Sequence, residues 1–267
     1  MRIRATVAAV TGALALSALA VPAAQAAGNP VSGVTFSNVV INGGKNIVVG
    51  ASAQVTISAT YTVTHPSSVS LSSFDSGPVL YRGTSITSPT DRIGGDEAGT
   101  CTASSSTVAK CTAKIEFRPK GATPDEDLFV AQAGAWKVGA LAADPSYRNL
   151  KWQGDLGAQN IQRFSKLTVD ATPEPVKKGK TITVTGALTR ANWDDNAYHG
   201  YTAQPVKLQF RPAGSSTYTT LKTVTTDSSG KLKTTTTATA DGYFRYSFAG
   251  TSTTSAVSAT GDYVDVQ

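Results

Sequence analysis

Val55, Ile57, Ala59, Tyr61 and Val63 fall at every second position of residues 54–63, with Thr56, Ser58, Thr60 and Thr62 between them. A period of two puts one set on a buried sheet face and the other in water; a helix would scatter the same apolar residues around its circumference. Shorter runs repeat the pattern at 34–41, 111–117, 136–140, 181–185, 206–211, 243–248 and 263–266. Turn residues such as Asn42-Gly43-Gly44 and Asp227-Ser228-Ser229-Gly230 separate them, and long helical periodicity is absent. Short strands rich in β-branched residues between turn formers predict an all-β chain of immunoglobulin-like sandwiches.

The N-terminus reads as an address and not as part of the fold. Arg2 and Arg4 precede an apolar run from Ala5 to about Val21, followed by Pro22 and Ala24-Gln25-Ala26. A basic start, a short apolar core and small residues before the scissile bond form a secretory signal, with cleavage between Ala26 and Ala27. Cleavage removes two arginines and no acid, so the formal charge drops from +6 to +4. That charge is mild and scattered, which argues against a nucleic-acid footprint. No later stretch offers the ~20 uncharged apolar residues of a membrane span; residues 128–143 come nearest and contain Gln132 and Lys137. No Cys follows the cleavage site to take a lipid and no sorting signal precedes Gln267, so free secretion is the expectation.

Cys101 and Cys111 are the two cysteines of the chain. Export favours pairing. Their flanks alternate as strands do, and Ser104 to Thr107 between them form turns, which predicts a disulfide across one β-hairpin. A C-x-x-C motif or nearby His, as redox or metal chemistry would need, is missing.

Two modules are expected after the signal peptide of residues 1–26: an N-terminal sandwich over 27–165 carrying the disulfide hairpin, and a C-terminal sandwich over 166–267. The halves echo each other weakly. Gly134-Ala135-Trp136 and Gly242-Tyr243-Phe244 each place a Gly before an alternating strand with an aromatic two residues on. Gly50 and Gly179 form a second such pair ahead of strands beginning near Gln54 and Thr181.

The run Ser165-Lys166-Leu167-Thr168-Val169-Asp170-Ala171-Thr172-Pro173-Glu174-Pro175, with Lys207-Leu208-Gln209-Phe210-Arg211 and Asp241-Gly242-Tyr243-Phe244-Arg245-Tyr246, is distinctive. Residues 165–267 resemble a bacterial Ig-like module of secreted actinobacterial, Streptomyces-like proteins of unknown function. The upstream half resembles, more loosely, the domain that accompanies it. Relatives of that kind are sometimes labelled calcium-binding, and the resemblance supplies no catalytic residue.

Catalysis finds little support. His65 and His199 are the only histidines, no G-x-S-x-G elbow surrounds a serine, and no HExxH motif occurs. Both histidines read as loop residues, and the chain reads as a non-enzyme without cofactor. Ca²⁺ is the sharpest metal reading: Asp194, Asp195 and Asn196 cluster in one loop, with Asp170 and Glu174 elsewhere, and oxygen ligands suit that ion. The spacing is not that of an EF-hand, and Asp125-Glu126-Asp127 lacks the pattern too. Trp193, Tyr198 and Tyr201 in the same region suggest a stacking surface for sugars, against the alternative that Trp193 caps its own sandwich. Trp136 reads as core. The expectation is a secreted, non-enzymatic binding or structural module for an unidentified extracellular or cell-wall ligand, with neither a nucleic-acid partner nor a membrane span. The alternatives are a calcium-binding adhesin-like or carbohydrate-binding protein, a protease inhibitor and a small hydrolase.

Overall fold

In the computed structural model residues 29–121, 123 and 127–267 are described. The expected cleavage site at Ala26 and Ala27, and Asp125 and Glu126, lie outside them. Strands dominate the described chain. In order they are β1 (Thr35–Ile41), β2 (Ile47–Val49), β3 (Val55–Thr64), β4 (Asp75–Arg82), β5 (Asp91–Gly94), β6 (Thr100–Ala103), β7 (Val108–Phe117), β8 (Gly134–Ala143) and β9 (Leu150–Arg163). Then follow β10 (Ser165–Leu167), β11 (Asp170–Thr172), β12 (Thr181–Asn192), β13 (Ala197–Gly200), β14 (Pro205–Pro212), β15 (Thr219–Thr225), β16 (Lys231–Thr237), β17 (Gly242–Phe248), β18 (Val257–Ser258) and β19 (Asp262–Val264).

The chain divides into two units: residues 29–45, 56–116 and 136–159 form the first, and residues 46–55, 117–135 and 160–267 the second. In the first unit one sheet has the order β1-β3-β7-β6 and the other runs β9-β8-β4-β5. The alternation in β3 does what its period requires: Ile57, Ala59, Tyr61 and Val63 are buried. Tyr61 and Val63 meet Val34, Phe36, Ala109, Cys111 and Ala113, and Ala140 and Ala142 of β8 in the other sheet, in one core. Trp136 is 2 % exposed, as expected of a core residue, and the Arg82 guanidinium lies 4.6 Å from its ring centre. Cys101 and Cys111 face each other directly in the β6–β7 register and are bonded.

The second unit pairs the sheet β10-β12-β11, with β13 and β16 also on β12, and the sheet β15-β14-β17-β18, with β19 also on β17. Ile182, Val184, Leu188 and Leu232 from the first meet Val206, Leu208, Phe244, Tyr246 and Phe248 from the second. Each of these apolar side chains withdraws on the order of 2 kcal/mol of hydrophobic free energy from water. The last residues of β9 run parallel to β2, with Ile47 opposite Ile161 and Val49 opposite Arg163. Gly134 and Gly242, the first pair of the weak repeat, start β8 and β17 for different reasons. Gly134 has φ 114°, and a Cβ on Gly242 would run into the Arg211 carbonyl.

Two expectations change. His65 lies outside any strand, as a loop residue should, yet it is 6 % exposed, because its amide donates to the Thr107 carbonyl and its ring lies beside Phe74. His199 is exposed as expected but sits within β13.

Candidate functional site

β12 and β13 form a hairpin closed at the pair Asn192–Ala197, and the loop between them, 193–196, holds most of the residues singled out above. Asn196 has φ 57°, a left-handed conformation that Asn tolerates better than most residues. That geometry points its side-chain amide inward, where Nδ2 donates to the carbonyls of Ala51 at 3.1 Å, Pro119 at 3.0 Å and Trp193 at 3.2 Å. The Trp193 indole N–H donates to the Gly50 carbonyl at 2.9 Å. Asp194 Oδ1 accepts from the Val130 amide at 2.9 Å, and the Asp194 amide donates to Asn192 Oδ1 at 3.0 Å. The loop thus ties segments 46–55 and 117–135 to the β12–β13 hairpin, all within the second unit.

Asp195 turns the other way. Its Oδ2 lies 2.6 Å from His199 Nε2 and its Oδ1 accepts from the Ala197 amide. The bond to His199 chiefly, helped by backbone amides, holds its carboxyl below the usual range. Among the described residues no serine or cysteine is hydrogen-bonded to the His199 ring. His65 directs Nδ1 at the Pro66 carbonyl instead.

Each of the three proposed metal ligands therefore has a side-chain atom engaged with a protein group: Asp194 Oδ1, both Asp195 oxygens and Asn196 Nδ2. Asp170 and Glu174 lie elsewhere in the unit, near Asp262, which accepts from the Ala171 amide at 2.7 Å. Burial, then the Asp262 and Asp170 charges, raises the Glu174 carboxyl. Among the described residues no group of three or more His, Cys, Asp or Glu side chains is arranged to hold a metal ion.

The sugar-stacking expectation needs correction. Trp193 is 2 % exposed and Tyr201 9 %, so neither presents a face. Tyr201 is stacked by the Arg190 guanidinium at 3.7 Å and meets Phe248 edge-on. Tyr198 is partly exposed, but Lys166 Nζ lies 3.7 Å from its ring centre and Phe164 meets it edge-on. The indole needs an acceptor for its N–H, and the one within reach is a backbone carbonyl inside the unit, so the ring follows its donor inward. A separate depression of about 350 Å³ in the first unit, lined by Phe74, Asp75, Ser76 and Cys101 among others, contains neither histidine.

Aromatic residues with exposed edges lie elsewhere, on the outward face of β14, β17 and β19. Arg211 pairs with Tyr243 and Tyr243 with Tyr263, while Gln209 pairs with Arg245. Tyr218, just before β15, folds onto them, with Arg245 3.7 Å and Arg211 5.3 Å from its ring centre. The signal was present in the sequence: the alternation that buries Leu208, Phe244 and Tyr246 must turn Arg211, Tyr243 and Arg245 outward.

No family model matches the chain, and no curated protein matches it. Among solved structures it is similar to the fibronectin(III)-like modules of Clostridium thermocellum CbhA, at 13 % identity over 85 % of this chain and 92 % of that one, with a TM-score of 0.29. It is similar to the D00-D0 domain of intimin at 15 % identity over 86 % and 99 %, with a TM-score of 0.26. Scores at this level carry no weight for this chain, whose all-β sandwich architecture stands on its own strand pairing.

Proposed function

We propose that this protein is a secreted, non-enzymatic extracellular module that binds a ligand or serves a structural role through two Ig-like sandwiches. The observation that carries the reading is the Cys101–Cys111 disulfide, closed across β6 and β7 with Cys111 in the core. Such bonds persist in oxidising compartments. The tripartite segment ending at Ala26 supports the same address. His65 Nδ1 is directed at the Pro66 carbonyl and His199 Nε2 at Asp195 Oδ2. No helix among the described residues is long and apolar enough to cross a membrane.

Expression of the full chain in a secreting host, followed by N-terminal sequencing of the product in the medium, tests the address. The expected first residue is Ala27. Intact Met1 recovered in a membrane fraction would overturn the reading.

A further inference from the structure

The outward face of β14, β17 and β19 carries an unbroken stack of five side chains. Arg245 lies on Tyr218, Tyr218 is followed by Arg211, and Arg211 lies 4.1 Å from the ring centre of Tyr243, which meets Tyr263 at 5.1 Å and 59°. Stacking on aromatic faces fixes both guanidiniums in plane and directs their N–H edges sideways. Each gives only part of its donor set to the protein: Arg245 Nε donates to Gln209 at 2.9 Å, and Arg211 Nη1 donates to the Ser215 carbonyl. Neither is paired with a carboxylate among the described residues. Lys207 shares their face, two positions before Gln209 and about 6.8 Å from it along the strand, and it is exposed. At the far end Tyr263 is 40 % exposed, with Tyr243 stacked on it. Asp241 and Asp265 lie close to Tyr263: burial first, then these two charges, raise its phenol.

The face therefore has two ends. One presents unpaired, pre-oriented cations, and the other an accessible aromatic ring beside carboxylates. We infer that this face binds an acidic polysaccharide, whose sugar carboxylates take the free edges of Arg211 and Arg245 while a pyranose ring lies on Tyr263. Carboxylate forks onto guanidinium are the strongest polar contacts available to such a polymer. At the Asp241–Asp265 end the hydroxyls of a sugar lying on Tyr263 would find carboxylate acceptors. The inference rests on the extracellular reading above and names its ligand class.

The test is affinity electrophoresis and calorimetry of the secreted protein with polygalacturonate, its fully methyl-esterified form and single-stranded RNA. Polygalacturonate is expected to retard the protein, and rising NaCl to weaken that retardation. The ester, which keeps the rings and loses the charges, is expected to leave mobility unchanged. Arg245→Gln should weaken binding about tenfold and Tyr263→Ala several-fold, with Arg245→Lys intermediate because it keeps charge without the fork. Lys233→Gln, on β16 of the other sheet, removes the same charge and should leave affinity unaltered. Equal losses in Lys233→Gln and Arg245→Gln would reduce the effect to net charge and overturn the proposal. So would equal binding of the ester or of RNA, or no binding by protein that is folded and present in the medium. That last outcome leaves the extracellular reading standing, whereas a product retained in the cell removes that reading. If Arg245→Gln does not fold, the ester and salt comparisons on wild type decide alone.

Discussion

Asn196 holds three segments together with one side chain, and this is possible because its backbone is left-handed at φ 57°. Two amide hydrogens serve the Ala51, Pro119 and Trp193 carbonyls. Asn196→Ala leaves these acceptors in place without their donor, and the expected loss is about 1–3 kcal/mol, read from urea unfolding. Asn196→Gly keeps the backbone geometry but not the bonds. It should lose nearly as much; full stability in the glycine variant would show that backbone strain, and not the clasp, sets the value. Asp194→Ala should destabilise too, since it removes the acceptor of the Val130 amide. Because Asp194 Oδ1 and both Asp195 oxygens are engaged with protein groups and no metal-holding cluster forms among the described residues, Ca²⁺ at millimolar concentration is expected to move the wild-type melting temperature no further than Mg²⁺. A calcium-specific rise abolished by Asp194→Ala would reverse that view.

At the scale of an element, the turn at 144–149 between β8 and β9 shows how a hairpin is held by one carboxylate. Asp144 is 8 % exposed and accepts from the Arg148 and Asn149 amides, Ser146 Oγ and Asn149 Nδ2, at 2.8 to 3.2 Å. Burial by itself would raise its pKa, but the bonds from Asn149, Ser146 and Arg148 outweigh it and hold the carboxyl below the usual range. A depressed folded-state pKa means the stabilisation is complete above the unfolded value, near 3.9, and is lost as pH falls through the lower folded one. Asp144→Asn should therefore be less stable than wild type at pH 7, and the two should converge as pH falls through the depressed folded-state value. Urea midpoints across that range provide the measurement. Parallel curves would mean that the turn is held by something other than this charge.

For the molecule as a whole, buried clusters are built from separate sets of residues, one containing Cys111 and another Tyr246. The Tyr246 hydroxyl donates to the Val184 carbonyl across its own sandwich, and burial pushes its pKa up to about 12. Closing the ten-residue separation of Cys101 and Cys111 stabilises by about 2–3 kcal/mol in the chain-entropy model. Cys101→Ser/Cys111→Ser should therefore lower the transition of the first unit, seen through Trp136 and Trp152, before that of the Trp193 environment. Simultaneous loss of both signals would contradict it. The sequence by itself determined the all-β class, the buried faces of β3, β14 and β17, and the partnership of the cysteines, because a period of two and a hairpin spacing are local properties of the chain. It also contained, in that same alternation, the outward Arg211, Tyr243 and Arg245. Which aromatic residues are accessible was decided by tertiary structure. Trp193 and Tyr201 read as a binding loop in sequence, yet they are buried, because the Gly50 carbonyl and the Arg190 guanidinium that receive them lie 143 and 11 residues away in the chain. The acids beside them likewise found their partners through folding: Asp194 meets an amide 64 residues distant. Composition alone could not place that contact, since a long-range hydrogen bond depends on how separate segments come together and on no pattern within either.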